Sequence, residues 1–298
     1  MAMGTRLCIR LRQEFKDLVE LVLLPGTAIF LPWPLCFRLY RYLSRYSWLY
    51  GEQTAQALAA AQSIIPVADP ARWCAAYRLI QLVDHGDLYL SLFRSDRWMC
   101  KYLSFTGSDW PKNTPFLAIT FHWGTGLWSL RHLRSQGITA AFLSVRLDKK
   151  IFAHRRVAYY YARLRLREVE RVGSAQVIYK GGSVPRLLAT LRQGKSVVAL
   201  IDVPPSEGGN CLPVQLFQRQ AWWPSGLVRL AVNEAIPAVA FTVSLNHATG
   251  QRYLHVTGPL PSQDQHQLVE ALAGCFSEAI SRDSPAWHFW WLVQGFFK

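Results

Sequence analysis

The chain has 298 residues, 51% of them hydrophobic and only 17% charged, with 12 Trp, 15 Phe and 12 Tyr. That is enough apolar material for a sizeable core, and more than an ordinary cytosolic enzyme carries. Lys and Arg exceed Asp and Glu by 14, which points to anionic partners; with no DNA- or RNA-binding motif present, phospholipid, a phosphorylated cofactor or an acidic carrier protein come before nucleic acid.

Residues 1–16 hold Arg6, Arg10, Arg12 and Lys16, and an apolar stretch from Leu18 to Phe37 follows, interrupted by Glu20, Pro25, Gly26, Pro32 and Pro34. No signal-peptide cleavage site follows it, and both flanks are basic, so charge sets no orientation across a bilayer. The preferred reading of residues 1–50 is a bent membrane-associating segment in one leaflet, with Arg38, Arg41 and Arg45 on headgroups. A single span and a helix docked on the protein core are the alternatives.

Residues 51–298 read as one α/β domain. Helical spacing over 51–110 gives way to alternation. Strands are expected at Phe116–Phe121, Ile138–Ser144, Val169–Val172, Ser196–Ile201, Ala238–Ser244 and Tyr253–Thr257. Helices are expected at Trp128–Ser135, Ala153–Leu164, Val184–Arg192, Gly226–Glu234 and Gln265–Ser281. Such alternation predicts a mainly parallel sheet flanked by helices. The six cysteines, at 8, 36, 74, 100, 211 and 275, form no C-x-x-C pair and no zinc spacing. They read as free, mostly buried thiols in a reducing compartment, with no metal site.

The segment PFLAITFHWGTGLWSLRHLRSQG, Pro115 to Gly137, concentrates the chemistry. An apolar strand delivers His122 to the carboxyl edge of the sheet, where open α/β folds bind ligands, and a glycine turn then starts a helix. An imidazole there can take a proton near neutral pH. Gly124 and Gly126 permit the turn and let backbone N–H groups approach a substrate oxygen. Thr125 supplies either a hydroxyl near the site or a helix cap. Trp123 and Trp128 read as core, with an acyl tunnel as the alternative. Asp202 ends its own strand on the same edge. Arg146, Lys149 and Lys150 follow the second strand, inside the most basic window, Arg146 to Lys180, whose excess of positive charge is seven. They are candidate ligands for a phosphate or a lipid headgroup.

These blocks, in this order, resemble the lipid A biosynthesis acyltransferases, the late acyltransferases of the lauroyl/myristoyl type. The strand ending in His122 with Gly124 after it, LSVRLDKK with Arg146, LRQGKSVVALIDVPP ending in Asp202, LPVQLFQRQAWWPSGLVRLAVNEAIPAVAFTV, and the tail SPAWHFWWLVQGFFK carry the resemblance over most of residues 15–298. It implies a glycerolipid-acyltransferase-like fold behind an amino-terminal membrane segment. It also implies transfer of an acyl chain from a carrier thioester, on acyl carrier protein or coenzyme A, to a hydroxyl of a glycolipid or related acceptor. No cofactor is implied beyond the thioester co-substrate. The expected place is the cytoplasmic face of a bacterial inner membrane, peripheral or single-pass.

The chain departs from the family's H-x4-D/E motif, because Leu127 stands where the acid should orient the histidine. Three outcomes are open. Asp202, or Asp148 in the basic loop, replaces the acid; a backbone carbonyl orients His122; or catalysis is lost and the chain only binds lipid or acyl carrier protein.

Overall fold

The computed structural model describes residues 2–153, 155–205 and 209–297, and for residues 2–7 the backbone only. The side chain of Arg6 and the terminal Lys298 therefore lie outside the described residues. Among the described residues there are nine strands: β1 (Leu103–Gly107), β2 (Leu117–Thr120), β3 (Ala140–Ser144), β4 (Ile178–Tyr179), β5 (Ser196–Leu200), β6 (Cys211–Leu216), β7 (Arg219–Pro224), β8 (Ala238–Leu245) and β9 (Arg252–Thr257). Seven form one sheet in the order β1-β9-β8-β2-β5-β3-β4, parallel at every pairing except β8 with β9. The expected α/β class with a mainly parallel sheet is therefore observed. β6 and β7 form a separate hairpin.

The helices are α1 (Ala2–Leu18), α2 (Leu24–Phe30), α3 (Trp33–Leu43), α4 (Gly51–Gln62), α5 (Pro70–Phe93), α6 (Asp96–Cys100), α7 (Leu127–Ser135), α8 (Arg156–Gly173), α9 (Val184–Arg192), α10 (Gly226–Asn233) and α11 (Gln265–Asp283). Local chemistry starts the long ones. Asp69 caps α5 by accepting from the Arg72 amide, with Pro70 preset at the first position, and Asp264 caps α11 through Gln267. α5 is buried around most of its circumference and packs against α2, α3, α7 and α8.

Val169–Val172 is a correction: these residues belong to α8, not to a strand. They sit among Arg and Glu, and Val169 and Val172, three apart, share the buried helical face. β1 and β4 carry strands where none was expected, and the stretch for which the resemblance implied a short strand and turn is the two-stranded β6–β7 hairpin.

The amino-terminal segment docks on the protein. Val19–Leu23 is a π-helical turn joining α1 to α2, and the chain turns again at Pro32 before α3. Ala28, Trp33, Cys36, Phe37 and Tyr40 enter the same core as the sheet. The Trp33 indole donates to the Gly250 carbonyl at 3.1 Å. Among the described residues no helix is long and apolar enough to cross a membrane. The cysteines are free, but only Cys36 is buried; Cys8 and Cys100 are exposed.

Candidate active site

β2 and β5 are parallel neighbours, with Thr120 opposite Leu200. Continuing that register by two residues puts His122 opposite Asp202, at the carboxyl edge of the sheet. The Asp202 carboxylate is fully buried. Its Oδ1 accepts from His122 Nδ1 at 2.9 Å, and its Oδ2 accepts from the His122 amide at 2.8 Å and from the Trp287 indole at 2.7 Å. A carboxylate only accepts, so the network assigns the proton of a neutral His122 to Nδ1 and leaves Nε2 with a free lone pair.

The carboxyl-terminal tail clamps this pair. Phe289 stacks on the His122 ring, with centroids 3.5 Å apart and planes 16° from parallel. The His288 amide donates to the His122 carbonyl at 2.8 Å. The His288 ring bridges Gln81 on α5, at 2.6 Å from Nδ1, and the Gly124 carbonyl, at 2.8 Å from Nε2. A carbonyl must accept, so Nε2 carries the proton and Nδ1 accepts from the Gln81 amide. Burial holds the His288 pKa below its ordinary value, which keeps a second positive charge away from His122.

Gly124 has φ +53°, and a Cβ there would lie 2.0 Å from the Val243 carbonyl. Only glycine fits this turn. Its amide is engaged, donating to Ala286 at 2.9 Å, so it is not a free donor for a substrate oxygen. The Thr125 amide donates to Val243 at 3.1 Å. The Gly126 and Leu127 amides, at the start of α7, make no hydrogen bond among the described residues.

His122 faces a cavity of about 490 Å³ between the sheet and helices α5, α7 and α8. Leu127, Leu130, Phe142, Leu166, Val169 and Val198 make much of it apolar. Leu127, 3% exposed, is thus a wall residue where the motif would place an acid.

Several sequence candidates fall elsewhere. Thr125 is a correction: it is fully buried, its hydroxyl has no partner among the described residues, it does not cap α7, and it lies outside the cavity wall. Arg146, Lys149 and Lys150 are exposed and also lie outside that wall. Arg146 lies over the Tyr179 ring and Lys149 over Tyr159. Asp148 is exposed and caps a 3₁₀ turn through the Lys150 amide, so it does not orient His122. The basic window is partly neutralised within the protein, because Arg155 pairs with Asp17, Arg165 with Asp84 and Arg171 with Glu168. Trp123 lines the cavity, while Trp128 is core.

Sequence reasoning missed Trp287, His288 and Phe289. Their one signal was a histidine inside the aromatic run AWHFWW. It also missed the cavity residues His85, Tyr161 and Arg165. Against known proteins, no family model matches the chain, and no curated protein is significantly similar to it.

Proposed function

We propose that this chain is a peripheral membrane acyltransferase. It moves a fatty acyl group from a carrier thioester, on acyl carrier protein or coenzyme A, to a hydroxyl of a glycolipid or related acceptor. The observation that carries this reading is the His122–Asp202 pair opening on an apolar cavity of about 490 Å³.

In the proposed step, His122 Nε2 takes the proton of the acceptor hydroxyl as that oxygen bonds to the thioester carbonyl carbon. The carbon–sulfur bond then breaks, and His122 passes the proton on to the departing thiolate, which leaves as the thiol and returns the ring to its neutral form. Asp202 fixes the tautomer and offsets the imidazolium charge, as the acid of a hydrolase triad does. The free amides of Gly126 and Leu127, at the positive end of α7, are the candidate donors to the carbonyl oxygen as it gains charge. Asp202 supplies from β5 what Leu127 cannot supply from α7. The apolar wall suits the acyl chain. Exposed Ile9, Leu11 and Phe15, interleaved with Arg10, Arg12 and Lys16, suit an anionic lipid surface at the inner membrane.

Purified protein given a radiolabelled lauroyl thioester and an inner-membrane lipid extract should move label into lipid. His122→Ala should reduce this by about 10³-fold or more with an unchanged circular dichroism spectrum. Equal transfer by the variant would remove His122 from the chemistry. Leu127 keeps one alternative in view, a relative that binds lipid or acyl carrier protein without turnover; it predicts binding by wild type and no label transfer.

A further inference from the structure

The cavity has a polar end that the acyl-transfer step does not use. α5 supplies Asp84 and His85 there, and α8 supplies Tyr161 and Arg165. The Tyr50 hydroxyl donates its single proton to the Glu20 carbonyl at 2.7 Å. Its 2.8 Å contact with His85 Nδ1 is therefore a bond donated by the ring. His85 thus carries its proton on Nδ1 and keeps a lone pair on Nε2, which has no partner among the described residues. Burial pushes the His85 pKa down to about 4, so the ring is neutral at physiological pH.

Arg165 uses two of its five N–H donors on Asp84, Nη2 to Oδ1 at 2.8 Å and Nη1 to the carbonyl at 3.3 Å. Burial raises the Asp84 pKa, but the Arg165 charge outweighs it and holds the carboxyl below its usual range. The pair is thus ionised and cancels in charge. Tyr161 is 9% exposed, stands edge-on to His85 with centroids 5.3 Å apart, and its hydroxyl has no hydrogen-bond partner among the described residues. Leaving a buried hydroxyl in that condition is unfavourable, and a ligand group would supply the missing partner.

We propose that His85, Tyr161 and Arg165 form a subsite for an uncharged group that both donates and accepts hydrogen bonds, a hydroxyl or an amide, rather than for a phosphate. Such a group donates to His85 Nε2 and accepts from Arg165. A phosphate would meet the His85 lone pair and the Asp84 carboxylate, with Arg165 already neutralised. Two sources offer this chemistry: sugar or glycerol hydroxyls of the acceptor, and the amides of a pantetheine arm. The inference rests on the acyltransferase reading for these two names, but its test does not require turnover.

Binding to the full-length protein is measured by quenching of tryptophan fluorescence with three probes: 1-lauroylglycerol, pantetheine and 1-lauroylglycerol 3-phosphate. At least one uncharged probe should bind wild type and lose about tenfold in affinity, the worth of one hydrogen bond, in both His85→Phe and Tyr161→Phe. The second variant removes a single oxygen and keeps the ring, so it separates recognition from folding. Loss confined to lauroylglycerol assigns the subsite to the acceptor, and loss confined to pantetheine assigns it to the donor arm. Tighter binding of the phosphate probe than of lauroylglycerol by tenfold or more would overturn the proposal. So would uncharged-probe affinities that stay within twofold in Tyr161→Phe. The readout is binding without turnover, so loss of the acyltransferase reading alone leaves this result intact.

Discussion

Asp202 lies 80 positions from His122 in sequence, yet the two side chains form one hydrogen-bonded unit. Each follows an apolar run on neighbouring parallel strands, so the topology makes the contact. This is why the pair was legible: a buried strand ending in a polar residue names its own edge position. The clamp from Trp287, His288 and Phe289 was not legible, because it comes from the far end of the chain and has no period to read. The network makes a direct spectroscopic prediction. Nitrogen-15 NMR of the imidazoles, with His122→Ala used for assignment, should find the neutral form of His122 protonated on Nδ1 and bare on Nε2. In Asp202→Leu that preference should disappear. Protonation on Nε2 in wild type would contradict the assigned network.

The strands of the sheet centre and most helices could be read from periodicity, since each presents one apolar face or a short buried run. The failures have local causes. Val169–Val172 reads as a strand if only apolar residues are counted, but the preceding RLRE and the enclosed Glu170 and Arg171 favour helix. The β6–β7 turn is formed by Phe217 and Gln218, at φ +53° and +61°. That two-residue conformation usually announces itself as Asn-Gly, and here it does not. α5 carries the pH prediction at this scale. His85 sits at about 4 in the folded protein against 6.5 unfolded, so the unfolded chain binds a proton that the folded chain refuses. The associated stability is present above pH 6.5 and is lost as pH falls towards 4. Its size is on the order of 2–3 kcal/mol. Chemical denaturation between pH 7 and 4 should show wild type losing that much more than His85→Gln; parallel curves would rule the account out.

At the scale of the molecule, a buried ion pair joins α5 to the sheet, and the amino-terminal segment packs on it through Trp33. Arg252 on β9 is fully buried and pairs with Asp87 on α5 through two nitrogens. Its guanidinium carbon lies 4.1 Å from the ring centroids of both Trp33 on α3 and Trp128 on α7. Stacking on both faces suits a planar, weakly hydrated cation. Apolar residues that composition alone would give to a bilayer, such as Trp33 and Phe37, are here core, while Leu23, Phe30 and Leu35 of the same segment, and Ile9, Leu11 and Phe15 on α1, are exposed. Vesicles containing anionic phospholipid should bind the protein, less so as salt screens the basic residues. The triple change Ile9→Ser, Leu11→Ser, Phe15→Ser should lower binding about tenfold or more. That follows from roughly 1.5–3 kcal/mol for each fully buried apolar side chain. Binding that is indifferent to both salt and these residues would place the lipid contact elsewhere.

Under the proposed function, Asp202 orients His122 and offsets the charge that the ring gains. That role is tested most directly by the turnover of a lauroyl thioester with membrane lipid in Asp202→Asn, leaving Leu127 untouched. The amide keeps the shape but cannot hold the tautomer or balance the imidazolium, so turnover should fall by about 10⁴-fold, by analogy with hydrolase triads. Turnover within a few fold of wild type would contradict the account.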